Sequence, residues 1–308
     1  MKLTLRQSIL ATISYADIFS YPLTQQEIAY WILFTKTDMK SLTKELRSFI
    51  HSRGKDIWYC FEGNTMAVHT RKRREKYSVQ KWIIARRIAR LLRMIPTIQL
   101  IGVTGALSLN NATQDDDIDL FFIVDEGTLW LSRLLATIVV ELLGVRRRPR
   151  DTEVKNKICL NMFITEDSLE LPAGEHDAFA AHEIIQMKPL WDRSGAYRKF
   201  LQANSWVKTF LPNAWEHTYQ TVHTKSQKDM SKVQSGTAVR FAANMLKLLE
   251  PPLKNIQLWY MKQKRTSEVI TDGMLRFHPR DMRVRIRTEW GKRLRHYNIP
   301  LDKVFYGR

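Results

Sequence analysis

Apolar positions recur with a helical period through the first part of the chain. Leu5, Ile9, Leu10, Ile13 and Ile18 keep roughly that spacing as far as Phe19, and Ser20-Tyr21-Pro22 ends the predicted helix. Thr24-Gln25-Gln26-Glu27 then reads as a capping box that opens a second helix through Ile28 to Leu33. A third helix places Leu42, Leu46, Phe49 and Ile50 inward and ends near Gly54. Ile57 to Phe61 and Thr65 to His69 read as two short strands around a turn at Glu62-Gly63-Asn64. A basic helix follows over 71–95 and stops at Pro96, with Trp82, Ile83, Ile88, Leu91, Leu92 and Ile95 as its apolar face.

The pattern changes at residue 97. Thr97 to Val103 is β-branched and apolar, the composition of a buried strand, and it runs into a turn at Thr104-Gly105-Ala106-Leu107-Ser108. After a polar loop, Ile118 to Val124 gives a second strand, Leu129 to Leu143 a helix, and Lys157 to Ile164 a third strand. This is an α/β layout over about 97–165. Beyond 165 the strand signals fade. Helices are predicted at His176 to Met187 and Ala196 to Phe210, with a loop at Lys188-Pro189-Leu190-Trp191 between them. Residues 222–237 are polar and read as a flexible loop, and 238–264 as a helix broken at Pro251-Pro252. The rest is basic helix punctuated by Phe277-His278-Pro279, and no internal repeat emerges.

Composition narrows the class. With 44% hydrophobic and 10% aromatic residues in 308, the chain can build packed cores, which excludes wholesale disorder. Cys60 and Cys159 match no metal or redox spacing, so a disulfide scaffold or a Cys-rich zinc site is excluded and a reducing compartment fits best. The most apolar stretch, Leu131 to Leu143, carries Arg133 and Glu141 and falls short of the roughly 20 residues a spanning helix needs. The expectation is a soluble, cytoplasmic protein without integral membrane association. Lys and Arg number 49 against 31 Asp and Glu, a net charge of +18. The excess is densest at Arg71 to Arg93, Arg146 to Arg150 and Arg276 to Arg295. Such blocks favour a polyanionic partner: nucleic acid, nucleotide phosphates or an anionic membrane surface. A solvated basic face is the competing reading for each.

The passage that carries chemistry runs from Ile101 to Val124. A strand enters the glycine turn, and about a dozen residues later Asp117-Ile118-Asp119-Leu120 heads the next strand. Strand alternation puts Asp117 and Asp119 on one face. Two adjacent carboxylates repel unless a cation sits between them, and a hard divalent ion such as Mg²⁺ takes oxygen ligands and bridges to phosphate. The glycine turn offers backbone N–H groups suited to phosphate oxygens.

Together these features resemble the polymerase-beta-like nucleotidyltransferase superfamily, whose mark is a glycine and a small residue, a spacer, then Asp-x-Asp among apolar residues. Gly105, Ala106 and Asp117-Ile118-Asp119 match it, firmly over about 97–125 and loosely to 165. The resemblance implies that Asp117 and Asp119 are catalytic and hold Mg²⁺ (or Mn²⁺). It also implies that Thr104, Gly105, Ala106 and Ser108 bind the nucleotide, and that a nucleoside triphosphate donates its monophosphate to a hydroxyl acceptor. Ala106 stands where the family commonly has serine, leaving Thr104 or Ser108 to compensate. Asn161 stands on the third strand where such folds often add a third carboxylate; Asp151, Glu153 and Glu166 are the other candidates.

The whole is read as α+β in four parts. These are a winged-helix-like segment over 1–70, a basic linking helix over 71–95, a nucleotidyltransferase core over 96–170 and a helical, basic region over 171–308. Three helices and a hairpin resemble a winged helix; because helix three is only modestly basic, a packing module is favoured over a groove reader. Asp115 and Asp116 read as loop acids, His182-Glu183 as a cap or core contact, and Phe277-His278-Pro279-Arg280-Asp281 as a capped helix start. Trp206, Trp215, Trp259 and Trp290 read as core. The acceptor is RNA, a small molecule or a protein side chain, and the charge leans towards nucleic acid. The competing class is a catalytically impaired protein of this fold that binds nucleic acid or a partner through its basic surfaces.

Overall fold

The apolar runs of residues 97–165 form the middle of a six-stranded mixed sheet. A computed structural model describes residues 3–47, 57–61, 66–149, 151–193, 195–229, 247–262, 268–277 and 282–306. The strands are β1 (Ile98–Val103), β2 (Ile118–Val124), β3 (Ile158–Thr165), β4 (Lys188–Asp192), β5 (Val269–Ile270) and β6 (Met274–Arg276), in spatial order β4-β1-β2-β3-β6-β5. β2 and β3 pair in parallel and every other neighbour pair is antiparallel. A parallel pair needs a crossover, which α6 (Leu129–Leu142) supplies.

Each sheet face has its own core. On one face Ile101, Val103, Leu120, Phe122, Ile158 and Phe163 pack beneath α4 (Met66–Leu92), α6 and α10 (Glu250–Lys262). On the other, Leu100, Phe121, Ile123, Met162, Ile164 and Met274 meet α7 (Ala178–Gln186) and α8 (Ala196–Ala203). The same core takes in α1 (Leu5–Asp17), α2 (Gln25–Trp31) and α3 (Met39–Leu46), and also α9 (Pro212–Asp229), α11 (Met282–His296) and α12 (Leu301–Tyr306). α5 (Gly105–Ser108) is a single turn after β1. α1 and α11 close on each other: Trp290 Nε1 donates to the Ala11 carbonyl at 3.1 Å and Arg293 Nε to Asp17 at 3.0 Å.

The Thr24–Glu27 capping box forms as the sequence predicts, and Thr4–Gln7 makes another at α1. Such caps are worth about 1 kcal/mol each. Leu42 and Leu46 are buried on α3 as predicted; Phe49 and Ile50 lie outside the described residues.

Several predicted elements differ. Met66 to His69 is not a strand: the chain is helical from Met66, because Met, Ala, Arg, Lys and Glu dominate residues 66–76 and carry α4 back over Val68. The turn at 62–64 lies outside the described residues, and Tyr59 forms an isolated bridge to Leu23. The predicted loop at Lys188 to Trp191 is β4, where Pro189 is tolerated because the strand is an edge. β5 and β6, of two and three residues, are too short to show a period, yet they extend the sheet past β3. Pro251 and Pro252 lie in the first turn of α10, whose N–H groups have no intrahelical acceptor; a 3₁₀ turn at Lys247–Leu249 precedes it, and 238–246 lie outside the described residues. The polar stretch from 222 is helical to Asp229, and 230–237 lie outside the described residues. On α4, Ile83 and Leu91 face solvent while Ser78, Lys81, Ala85, Ile88, Ala89 and Leu92 are buried. Trp290 is core and Trp206 and Trp215 are half-buried, but Trp259 is 77% exposed. No helix among the described residues is long and apolar enough to cross a membrane.

Candidate active site

β1 delivers Thr104 to the head of β2, where its N–H donates to the Asp119 carbonyl at 3.1 Å. Gly105 follows with φ +64°, in the left-handed region that glycine enters without strain. A Cβ at this position would sit 2.8 Å from Asp119 Oδ2, so the glycine also makes room for the carboxylate. Ala106 is exposed at the edge of the site. Ser108 Oγ donates to the Gly105 carbonyl at 2.7 Å and serves the turn. Thr104 Oγ1 is buried and accepts from Asn161 Nδ2 at 3.4 Å, so both candidate hydroxyls are engaged within the protein.

Asp117 and Asp119 come together as the alternation predicts, and a residue the sequence did not single out joins them. Parallel register sets Asp119 opposite Cys159, and ligating atoms of Asp117, Asp119 and Cys159 all lie within 4.8 Å of one another. Arg147, from the second basic block, donates to Asp117 Oδ2 at 2.5 Å and lies 3.8 Å from Cys159 Sγ. Its backbone N–H is tied to the Ile158 carbonyl at 2.9 Å, which fixes the block against β3. Asp116 turns away and accepts from the N–H and hydroxyl of Thr113, while Asp115 is exposed.

Lys81 was countable only as part of a basic run. It is 1% exposed, and its ammonium donates to the Gln114 and Asp116 carbonyls and to Asn156 Oδ1, clamping the loop that leads into Asp117. Its place on the helix, three after Ser78 and four before Ala85, is the signal that puts it inward.

Burial, and then the charge of Asp117, push Asp119 up to about 7. Burial and the two carboxylates push the Cys159 thiol well above its ordinary value, so it is protonated at neutral pH. The donor set fits a hard divalent cation: two carboxylate oxygens side by side, offset by one guanidinium, with a protonated thiol as the third neighbour.

From Asp119 a cavity of about 530 Å³ opens beneath the sheet. Its walls include Tyr15 of α1, Phe121 and Met162 of the sheet, Phe179, His182 and Glu183 of α7, and Met282 and Ile286 of α11. His182 is a core histidine: Nδ1 donates to the Ala178 carbonyl at 2.7 Å, the ring stacks on Tyr15 at 3.9 Å, and burial pulls its pKa down to about 4. Glu183 faces the cavity, is contacted by Gln186, and is pushed by burial up to about 7. Asn161 is the extra residue where the β2–β3 register slips between Leu120 and Phe121, a bulge that re-aims its side chain. It is 4% exposed and lines the cavity, and its Oδ1 has no hydrogen-bond partner among the described residues.

Several arginines of the basic blocks are paired with acids inside the protein. Arg276 grips Glu175 at 2.6 and 2.9 Å, Arg283 and Arg287 lie 3.1 and 2.9 Å from Asp177, and Arg71 holds Glu27 at 2.6 and 2.8 Å. Lys72, Lys76, Arg86, Arg87, Arg90 and Arg93 remain exposed along α4. Residues 278–281, including His278, Arg280 and Asp281, lie outside the described residues. Comparison with protein-family models, curated proteins and solved structures finds no match to this chain.

Proposed function

We propose that the protein is a metal-dependent nucleotidyltransferase with its catalytic core at 96–170, moving a nucleoside monophosphate from a nucleoside triphosphate to a hydroxyl acceptor. The observation that carries this reading is the pairing of Asp117 and Asp119 beside a left-handed glycine whose missing Cβ leaves room for Asp119. The first helices are the packing module of this core, for α1 contributes Tyr15 to the cavity wall.

Mg²⁺ or Mn²⁺ held by Asp117 and Asp119 would supply electrostatic stabilisation to the reacting phosphates. The turn at Thr104 to Ala106 orients the triphosphate, and Arg147 adds positive charge beside it. The acceptor oxygen bonds to the α-phosphorus as the bond to the β-phosphate's bridging oxygen breaks, and pyrophosphate leaves with that electron pair. Among the described residues the carboxylates on the cavity wall are Asp119, Glu175 and Glu183, and Glu175 is held by Arg276 and Arg283. Glu183 therefore takes the hydroxyl proton, the part a third-strand carboxylate would play if Asn161 were acidic.

The test is incubation with each of four α-labelled nucleoside triphosphates, Mg²⁺ or Mn²⁺, and cellular RNA or a small-molecule extract, with Asp117→Asn as control. Label that moves with the wild type and not with the variant supports the reading. One observation favours the competing reading of an impaired, binding protein: Arg147 already neutralises Asp117. No transfer with any nucleotide, together with salt-sensitive nucleic-acid binding, makes that reading the better one.

A further inference from the structure

The cavity beyond Asp119 has a chemistry opposite to that of the protein's surface. Its volume, about 530 Å³, lies in the range of sites that enclose one small molecule. Its walls are chiefly apolar, with Phe19, Phe121, Phe179, Phe200, Met162 and Leu171 among them. Among the described residues its wall carries the carboxylates of Asp119 and Glu183 and the Oδ1 of Asn161, which has no partner there, while the donors of Thr12, Tyr21, Asn111 and Gln186 are already bonded within the protein. The two arginines on the wall, Arg276 and Arg283, are tied to Glu175.

An occupant must therefore bring a hydrogen-bond donor to the Asp119 end and apolar surface to the rest. Away from the Asp119 end, an RNA phosphate would meet Glu183 and a chiefly apolar wall whose guanidiniums are already engaged by Glu175 and Asp177, which disfavours RNA as the acceptor despite the chain's net charge of +18. A buried oxygen without a partner is costly, and a donor on the occupant would satisfy the one on Asn161. Resting on the nucleotidyl-transfer reading, we propose that this cavity is the acceptor site and that the acceptor is an uncharged, mostly apolar, ring-bearing alcohol. Its hydroxyl lies between Asn161 and the carboxylates, next to the α-phosphate of the nucleotide, and its body fills the space beneath Phe121.

The test uses the full chain without metal or nucleotide, and 2-(2-naphthyl)ethanol as the probe, titrated calorimetrically beside 2-naphthylacetate and an oligoribonucleotide. The expected result is one site per chain for the alcohol, with the charged acetate at least about tenfold weaker. Met162→Trp, which places an indole in the cavity, should abolish binding while keeping the melting temperature. Should that variant fail to fold, Asn161→Leu serves instead: it should weaken the alcohol about tenfold and leave 2-ethylnaphthalene unchanged. An alcohol that does not bind, an acetate that binds better, or an oligonucleotide that displaces the alcohol overturns the proposal. Transfer is followed separately with labelled nucleotide and the organic-extractable fraction of cells, which should take up the label. Label on RNA with the alcohol unbound overturns the acceptor proposal and leaves nucleotidyl transfer standing. Alcohol bound with no label moved to any acceptor overturns nucleotidyl transfer, and the acceptor role with it.

Discussion

Replacing Asp119 with asparagine should make the metal-free protein more stable at alkaline pH. Asp119 titrates at about 7 in the folded protein against an ordinary 3.8, first through burial and then through Asp117 beside it. The folded state keeps this proton up to about pH 7 while the unfolded chain releases it near 3.8. Between those values the folded state binds more protons, so stability falls as pH rises, and above pH 7 the loss is complete. The difference of 7 − 3.8, or 3.2 units, at roughly 1.36 kcal/mol each sets a ceiling of about 4 kcal/mol. Asparagine keeps the shape without the charge, so its expected gain near pH 8 is about 2–4 kcal/mol, shrinking to nothing in acid. Urea denaturation with a chelator at several pH values measures it. Mg²⁺ should then stabilise the wild type and not the variant, narrowing the difference by about 2.7 kcal/mol at a hundredfold its dissociation constant. An asparagine variant no more stable than wild type in alkali, or Mg²⁺ stabilising both proteins equally, refutes the assignment of this pair as a cation site.

Three further outcomes are expected from the same geometry. Gly105→Ala should cost about 1–2 kcal/mol from the left-handed backbone alone and weaken Mn²⁺ binding, because the new Cβ displaces Asp119; thermal unfolding and Mn²⁺ resonance read the two effects. Glu183→Gln should slow transfer by about a hundredfold or more and remove the limb of the rate profile that rises through pH 7 as Glu183 ionises; an unchanged profile between about pH 5.5 and 8.5 removes Glu183 from the reaction. Nucleic-acid affinity, if carried by the exposed α4 row, should fall steeply with salt, and Arg86→Glu with Arg90→Glu should flatten that dependence; a salt-independent affinity rules the row out.

The segment β1–turn–β2 was legible because it joins two signals, a β-branched run and a glycine whose spacing to Asp-x-Asp has a chemical reason. The Thr24 capping box was legible because its contacts lie within four residues. What the sequence hid depends on distant partners. Arg276 and Glu175 are 101 positions apart, so a run of arginines gave no sign that part of it is structural. Arg147 looks like its neighbours until β3 fixes it beside Asp117. Cys159, a lone cysteine, gains its setting from the parallel register with Asp119, and Asn161 owes its aim to a bulge that residue type does not announce. β4 was obscured by Pro189, which argues against a strand everywhere except at an edge.

The seam between α1 and α11 bears on how the protein is made. The Trp290–Ala11 bond spans 279 positions, and α11 supplies Met282, Arg283 and Ile286 to the cavity. During synthesis α1 therefore waits for α11 before their shared core is closed, and contacts of such long range slow folding. The pocket wall is complete only once α11 has docked. A molecule that fills it, such as the proposed acceptor, would hold α1 and α11 together, so its removal should show as a lower yield of folded protein.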